Sequence, residues 1–326
     1  MFQDKPVLLV GTGPMAREYA RVMREGLCWD FILVGRDRGK LRALSEEWGA
    51  SGILELAELK AGMGRAFSFA IVAVAAEVLP EIACRVLDSG IEGVLLEKPG
   101  AMSVEAAREF DTYLESEVSA VRIAYNRRYY ASVLHLKAIL ETEPATAAFF
   151  DFCEWTEPIV ASSKSPIVKR HLGLGNSIHV FDTITFLLGA FSAITPIIRD
   201  SQVLEWHPSS ATFLGTAICG ETPVSWCTSW LSAGRWNIEI LTRMGRYKLS
   251  PMEKLQFLPR NSVIWEEVKI DDDLDVRFKP GLMRMLTAFH QNLSGNDRFV
   301  DDCHLPSSRE NMTTLTAVST IMGYSL

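Results

Sequence analysis

This sequence of 326 residues has no long apolar run and no excess of positive charge. No stretch approaches the roughly 18 consecutive apolar residues that identify a membrane-spanning helix. The net charge is −7, from 33 basic and 40 acidic residues, which argues against a nucleic-acid surface because phosphates select clustered Lys and Arg. We therefore expect neither a membrane nor a nucleic acid as a partner.

The sequence also lacks a cysteine framework. Its six cysteines are scattered, with neither a CxxC pair nor a Cys/His spacing of the zinc-site kind. We expect no metal site, and we interpret the thiols as buried residues in a reducing compartment. The first apolar run, ahead of a glycine turn, is too short for the core of a signal peptide. These features predict a cytoplasmic protein.

What is present is the composition of a well-packed globular protein, with 48% hydrophobic and 22% charged residues. The length suits two domains of roughly 100–200 residues each. A change of pattern places the predicted boundary after residue 122. The prediction is a dinucleotide-binding domain over residues 1–122 and a substrate-binding and oligomerisation domain over residues 123–326.

Short apolar runs alternate with helical patterns in the first domain. Such alternation is typical of parallel strands joined by right-handed helical crossovers. The predicted strands are 6–10, 31–34, 69–74 and 93–96, and the predicted helices are 16–25, 40–48 and 78–89. The sequence therefore predicts an α/β protein whose N-terminal part is a doubly wound Rossmann sheet.

Beyond residue 125 the strands follow one another without helices between them, which favours a largely antiparallel open sheet. The predicted strands are 147–152, 211–219, 223–231, 235–243 and 263–270, and the predicted helices are 129–142, 176–188, 280–293 and 307–323. An open sheet with one bare face is expected to pack against a second copy, so we predict a homodimer or homotetramer.

A glycine motif directly follows the first strand and begins the first helix. It reads Gly11-Thr12-Gly13-Pro14-Met15-Ala16. Gly11 permits a tight turn, Gly13 lets the backbone approach a pyrophosphate, and the small Ala16 allows close packing of the helix. The helix N-terminus adds N–H donors. This arrangement predicts a dinucleotide site, the alternative being a glycine turn in another α/β fold.

The end of the second strand bears on which dinucleotide is bound. NAD enzymes place an acidic residue there for the ribose 2′-hydroxyl, but Asp30 precedes the strand. Arg36, with Arg38 or Lys40 nearby, could instead pair with a 2′-phosphate. NADP(H) is therefore favoured over NAD(H). The alternative is that these are solvated charges and that Asp37 binds the ribose.

Glu97 and Lys98 follow the strand 93–96, at the strand ends where ligands of a doubly wound sheet gather. We expect both residues near the cofactor. An ammonium group close to the nicotinamide could stabilise negative charge on a substrate oxygen. A surface Glu-Lys pair, by itself, would usually have no function.

Four motifs in order resemble the glucose-fructose oxidoreductase/inositol dehydrogenase (Gfo/Idh/MocA) family over almost the whole chain. They are the glycine motif, Leu96-Glu97-Lys98-Pro99-Gly100-Ala101, Ala124-Tyr125-Asn126-Arg127-Arg128-Tyr129, and His179-Val180-Phe181-Asp182 with Leu187-Leu188-Gly189. The resemblance implies a Rossmann domain, a C-terminal open-sheet domain and reversible oxidation of a sugar or polyol hydroxyl. It identifies Lys98 as the active-site lysine and His179 as the catalytic histidine.

One position departs from the family pattern. The family commonly has an aspartate four residues before the catalytic histidine, where this sequence has Gly175 followed by Asn176. Asp182 falls on the same helical side as His179 and could orient the imidazole instead. The departure concerns the proton relay and leaves the cofactor argument unchanged.

Candidate substrate contacts come from several segments. The segment after the strand predicted to link the domains lies, by the resemblance, near the cofactor and substrate. The loop 169–171 could bind an anionic group such as a nucleotide-sugar phosphate, with solvated loop charge as the alternative. Trp155 could line a pocket, although tryptophans at strand spacing are more often sheet packing. The candidates are Tyr125, Asn126, Arg127, Trp155, Arg170, His171, Asn176 and Asp182.

The leading hypothesis is an NADP(H)-dependent oxidoreductase acting on a sugar or nucleotide sugar. In it Lys98 polarises the substrate oxygen and His179 carries the proton. A second hypothesis is reduction of an imine or conjugated double bond, for which the missing aspartate is less of a defect. A third is a non-catalytic regulatory protein that retains NAD(P) binding, which Gly175 favours.

Overall fold

The computed structural model describes residues 5–115, 120–293 and 305–324. The chain forms two compact units. Unit 1 comprises Met1–Ala101, Glu105–Asn126 and Val276–Asn311, and unit 2 comprises Met102–Val104, Arg127–Asp275 and Met312–Leu326. The main crossing, after Asn126, lies close to the predicted boundary at residue 122. The chain returns to unit 1 at Val276, which a single boundary at residue 122 does not predict.

Unit 1 is built on a parallel sheet of six strands. They are β1 Val7–Val10, β2 Phe31–Gly35, β3 Gly52–Glu55, β4 Ala70–Val72, β5 Gly93–Glu97 and β6 Ala120–Ala124. The spatial order is β3-β2-β1-β4-β5-β6, and every pair is parallel. β1, β4 and β5 are buried along their whole length, as continuous apolar strands of a doubly wound sheet are. The predicted Rossmann fold is confirmed.

Three helices of unit 1 begin within two residues of their predicted starts, the helix that begins at Val104 was not predicted, and the helix that begins at Leu282 was predicted as part of the second domain. The helices are α1 Pro14–Arg21, α2 Arg38–Trp48, α3 Leu79–Leu87, α4 Val104–Leu114 and α10 Leu282–Leu293. α1 continues into a π-helical turn, Val22–Leu27, that ends at Cys28 in the left-handed conformation. α11, Ser308–Met322, begins in unit 1 and ends in unit 2. No helix in the described ranges is long and apolar enough to cross a membrane.

Unit 2 contains a sheet of eight strands. They are β7 Ala147–Asp151, β8 Phe191–Arg199, β9 Thr212–Cys219, β10 Thr222–Ser229, β11 Asn237–Leu241, β12 Gly245–Leu249, β13 Gln256–Pro259 and β14 Glu266–Glu267. The order is β14-β13-β12-β11-β7-β10-β9-β8. Only the β7–β10 pair is parallel, so the predicted, largely antiparallel sheet is confirmed.

Two long helices and two short ones belong to this unit, and a third short helix begins in unit 2 and ends in unit 1. They are α5 Ala131–Thr142, α6 Thr156–Ala161, α7 Pro166–Arg170, α8 Ile178–Leu188 and α9 Asp273–Arg277. α8 is buried over most of its length, and its Phe181 ring packs 5.5 Å from Phe150 and 5.0 Å from Phe152 of the β7 segment. Aromatic packing therefore fixes α8, which carries His179, against the sheet.

A buried histidine ties the connection between β8 and β9 to the segment before α8. His207 is fully buried, with its Nδ1 2.7 Å from the Ser210 carbonyl and its Nε2 2.7 Å from the Tyr324 hydroxyl. Tyr324 Oη in turn accepts a hydrogen bond of 3.0 Å from Gly173 N. Because the carbonyl requires a donor at Nδ1, the neutral imidazole accepts from Tyr324 at Nε2. Burial lowers the pKa of His207 to about 4.

This depressed pKa predicts a pH-dependent stability of unit 2. The neutral imidazole stabilises the fold above the unfolded pKa near 6.5, and this contribution is lost as the pH falls toward about 4. Between about pH 7 and about pH 4.5 we expect the wild type to lose about 2 kcal/mol more free energy of unfolding than His207→Gln. Six of the eight tryptophans lie in unit 2, so tryptophan fluorescence during urea unfolding reports the difference.

The exposed His135 provides the matched control for this measurement. His135→Gln is expected to retain the full pH dependence of the wild type. Equal slopes of stability against pH in the wild type and His207→Gln would contradict the assignment of a neutral His207.

Candidate functional site

The turn after β1 can be built only with glycine at position 11. Gly11 has a φ of 127°, and a Cβ there would overlap the carbonyl oxygen of Ala73 at the end of β4. Its N–H donates to the Val34 carbonyl of β2 at 2.8 Å. The chain therefore leaves β1 tightly held between the ends of the two neighbouring strands.

Gly13 leaves open space at the start of α1. It is the N-cap residue, no side chain caps the helix, and a Cβ built on Gly13 would meet no atom within 4 Å. Pro14 occupies the first turn and Ala16 is fully buried, so the helix packs closely beneath the turn. A helix start that no side chain caps, beside open space, is what a pyrophosphate requires, so these residues fit a dinucleotide.

The charged residues after β2 have different partners. Arg38 pairs with Glu55 at 3.1 Å, and Asp37 caps α2 by accepting from Lys40 N at 3.1 Å. Arg36 is exposed and has no ion pair or side-chain hydrogen bond within the described part of the chain. Of the three residues predicted here as cofactor contacts, Arg36 is therefore the one whose charged group is available.

Glu97, predicted as a cofactor contact, instead anchors β5 to α1. It is buried, and Tyr19 Oη donates to its Oε1 at 2.6 Å. Burial raises the pKa of Glu97, while Tyr19 and the neighbouring Lys98 act in the opposite direction. Lys98 itself is half-buried at the carboxyl end of β5, before a cis bond to Pro99. Glu97 thus fixes the strand end from which Lys98 extends.

A buried amide holds the other side of the Lys98 turn. Asn311 donates through Nδ2 to the Pro99 carbonyl at 2.8 Å and accepts at Oδ1 from the Tyr125 hydroxyl at 2.7 Å. Asn126 Nδ2 donates to the Pro280 carbonyl at 2.9 Å. Tyr125 and Asn126, predicted as substrate contacts, are therefore buried supports of unit 1. Asn311 lies far along the sequence, and no local motif identified it.

Unit 2 contains a buried carboxylate that the sequence analysis missed. Glu154 is 3% exposed. Its donors are Asn176 Nδ2 at 3.0 Å, Ser177 Oγ at 2.7 Å, Trp236 Nε1 at 3.2 Å and Arg235 Nη1 at 3.2 Å. Burial raises the pKa of Glu154, and these donors oppose the shift. The sequence feature that could have revealed it is an acid directly after the apolar segment of β7.

His179 lies next to Trp236, which donates a hydrogen bond to Glu154. It is buried on the first turn of α8, and its ring centroid is 6.0 Å from that of Trp236. The Arg127 and Arg235 guanidinium groups lie 4.6 Å and 4.7 Å from the Trp236 ring centroid. We call Glu154, Asn176, Ser177, His179, Arg127, Arg235 and Trp236 the Glu154 cluster. It brings together three residues predicted from sequence: Arg127, Asn176 and His179.

Asp182 does not occupy the position predicted for it. Its oxygens accept from Arg128 Nη2 at 2.6 Å and Nε at 2.9 Å, and both side chains are buried. Burial raises the pKa of Asp182, and the charge of Arg128 lowers it. The bidentate pair satisfies the carboxylate, so Asp182 has a partner other than the imidazole.

The remaining candidates, Trp155, His171 and Arg170, have different neighbours in unit 2. Trp155 is 58% exposed and donates from Nε1 to the Gly234 carbonyl at 3.1 Å, with Arg235 over its ring. The His171 ring packs against Tyr324. Arg170 lies at the end of α7, a helix where a loop was predicted, and lines a pocket of about 360 Å³. No group of three or more His, Cys, Asp or Glu in the described ranges could hold a metal ion.

Comparison with known proteins agrees with this architecture. Residues 5–125 match the family model GFO_IDH_MocA, described as an oxidoreductase family with an NAD-binding Rossmann fold. No curated protein matches the chain significantly.

Solved structures share the fold over nearly the whole chain. An oxidoreductase from Agrobacterium radiobacter, in complex with NAD+, L-tartaric acid and magnesium, has a TM-score of 0.76 at 15% identity, covering 97% of this chain and 94% of that one. A UDP-N-acetylglucosamine 3-dehydrogenase from Acidithiobacillus ferrooxidans has a TM-score of 0.73 at 11% identity, covering 98% and 97%. An NAD-binding oxidoreductase from Klebsiella pneumoniae has a TM-score of 0.73 at 15% identity, covering 98% and 96%.

The family match covers the glycine turn, the strand that ends at Glu97 and the segment through Tyr125, and the eight-stranded sheet of unit 2 agrees with the shared fold. Residues 5–125 of this chain therefore match the Gfo/Idh/MocA family of oxidoreductases, which is described as having an NAD-binding Rossmann fold.

Proposed function

We propose that this protein uses NADP(H) in preference to NAD(H) to interconvert a hydroxyl and a carbonyl group of a sugar or nucleotide sugar. The observation that carries the proposal is the open, uncapped helix start at Gly13 on a sheet whose strand β5 ends directly before Lys98. A structural neighbour that is named for its action on UDP-N-acetylglucosamine supports the substrate class. Cytoplasmic location and a homo-oligomer remain predictions.

The preference for NADP(H) rests on Arg36. An exposed guanidinium without a partner in the described chain, beside the end of β2, suits a 2′-phosphate. Asp37, the alternative ligand for a ribose hydroxyl, already caps α2. The arrangement of partners therefore favours the phosphate over the bare ribose.

When bound, the nicotinamide ring supplies or accepts the hydride. The Lys98 ammonium group hydrogen-bonds the substrate oxygen and stabilises the negative charge that develops on it. The His179 imidazole takes the hydroxyl proton in oxidation and returns it in reduction, the role of a general acid-base catalyst.

Glu154 supplies a carboxylate to the segment in which the family's aspartate is absent. It accepts hydrogen bonds from Asn176 and Ser177, two of the three residues between Gly175 and His179, and from the Trp236 indole, which contacts the His179 ring. We propose that Glu154 positions His179 and that its negative charge favours the protonated imidazole. This role weakens the regulatory hypothesis, which depended on Gly175.

The cofactor assignment predicts a clear preference in a titration followed by nicotinamide fluorescence. NADPH should bind more tightly than NADH, and Arg36→Ala should weaken NADPH binding by about 10-fold to 100-fold, the usual range for a charge-assisted hydrogen bond. NADH affinity should stay unchanged. The exposed Arg42, in the same segment, gives the control variant Arg42→Ala. Equal affinity for both cofactors in the wild type would remove Arg36 from the site.

The catalytic assignment predicts that Lys98→Met abolishes turnover on a panel of ketosugars while the Kd for NADPH stays nearly unchanged. His179→Asn should lower kcat by about 10²–10⁴-fold, the usual contribution of general acid-base catalysis. Steady-state kinetics and the fluorescence titration separate the two effects. An unchanged rate in Lys98→Met would remove this lysine from the mechanism.

The positioning role of Glu154 predicts a specific signature in Glu154→Gln. We expect kcat to fall by about 10-fold or more, and the pH-rate limb assigned to His179 to move to lower pH, because loss of the negative charge lowers the imidazole pKa. A purely structural role would change the melting temperature but not the position of the limb. Glu157→Gln, an exposed neighbour, is the control and should leave the pH profile unchanged.

A further inference from the structure

Unit 2 contains a pocket that the catalytic assignments do not use. Its volume is about 360 Å³, at the lower end of the range typical of small-molecule sites. It is lined by α6, α7, the loop between them and the connection between β8 and β9. The polar and aromatic lining residues are Lys164, Lys169, Arg170, Glu205 and Trp206.

The pocket carries an excess of positive charge. Three basic side chains and one acidic side chain line it. Lys169 is held by a hydrogen bond of 3.0 Å from Nζ to the Val160 carbonyl, which leaves its charge unneutralised. Within the described part of the chain, Lys164 and Arg170 have no ion pair. A concave site with clustered cations attracts anions.

Five other cations of unit 2 have carboxylate partners. Arg128 pairs with Asp182, Arg235 with Glu154, and Lys254 with Glu267. Arg246 and Lys248 both pair with Glu239. At the pocket, by contrast, three cations are gathered around a space with a single carboxylate, that of Glu205.

A tryptophan of fixed orientation forms part of the pocket wall. The Trp206 indole stacks on the buried Trp230 with an interplanar angle of 8° and a centroid distance of 5.8 Å. Trp230 also packs at 4.6 Å from the buried His207. The stack holds Trp206 as a flat apolar wall beside the cations, and such a surface suits a planar ring.

We propose that this pocket binds the nucleoside diphosphate part of the substrate, with the phosphates at Lys164 and Arg170 and the base against Trp206. The inference rests on the proposed function and narrows its substrate class to nucleotide sugars. A phosphate is recognised by Arg and Lys, and a base stacks on an aromatic face. His171, predicted to share this site, packs instead against Tyr324.

Isothermal titration calorimetry with UDP tests the proposal. The protein is first saturated with NADPH, so that the dinucleotide turn of unit 1 is not available to UDP. We expect micromolar binding that is weakened at least 10-fold in the double variant Lys164→Ala/Arg170→Ala. The double variant Arg243→Ala/Arg260→Ala, which removes two exposed cations elsewhere in unit 2, should bind UDP as the wild type does.

Two further ligands and one variant separate the phosphate from the base. UDP should bind more tightly than inorganic pyrophosphate, and uridine should bind weakly. Trp206→Leu should remove the advantage of UDP over pyrophosphate. Because Trp206 packs on Trp230, Trp206→Leu tests the stacking of the base only if its melting temperature equals that of the wild type. If the melting temperature falls, the UDP affinity of Lys164→Ala/Arg170→Ala decides whether the pocket binds the ligand.

The outcomes separate this inference from the proposed function. Absence of UDP binding, or binding that Lys164→Ala/Arg170→Ala leaves unchanged, overturns the pocket assignment. Equal affinity for UDP and pyrophosphate overturns the part assigned to the base. If the protein reduces free ketosugars with NADPH but does not bind UDP, only the assignment of the pocket to a nucleoside diphosphate is refuted. Failure to bind NADPH refutes the proposed function whatever the pocket does.

Discussion

The burial of carboxylates is the constraint on which both candidate catalytic regions depend. A carboxylate removed from water is costly unless donors satisfy it. Glu97 is matched by Tyr19, Asp182 by Arg128, and Glu154 by four side chains. Glu97 is the residue before Lys98. Glu154 accepts hydrogen bonds from the turn just before His179, and Asp182, three residues after His179, pairs with Arg128. The requirement to satisfy these acids therefore rigidifies the backbone that presents the proposed lysine and histidine.

Local patterns predicted the parts of the structure that local physics determines. The buried strands β1, β4 and β5 are continuous apolar runs, and Gly11 is required by the close approach of the Ala73 carbonyl. The dinucleotide turn and these buried strands could therefore be predicted from periodicity and glycine placement. β3 could not, because each of its residues is only half-buried and its apolar signal is short.

The partners of the polar residues could not be predicted, because they come from distant parts of the chain. Asn311 supports the turn after Lys98 across more than 200 residues of sequence, and Trp236 reaches Glu154 from β11's preceding loop. The helical spacing of Asp182 and His179 suggested a pair, but Arg128 satisfies Asp182 more completely with two nitrogen atoms. Sequence spacing limits which residues can meet, and the choice among them depends on tertiary packing.

The missing aspartate can be understood from the same packing. Gly173–Ser177 forms a π-helical turn before α8, and a Cβ at Gly175 would lie 3.2 Å from Val168 Cγ1, so position 175 faces an apolar side chain of α7. A carboxylate there would have to be desolvated against this neighbour. Glu154 approaches the same turn from the sheet side, where Asn176, Ser177 and Trp236 provide donors. A second buried carboxylate in this turn would repel the first. The absence of an acid at position 175 is therefore compatible with the burial of Glu154. In this arrangement the carboxylate comes from the segment after β7 and not from the turn before α8.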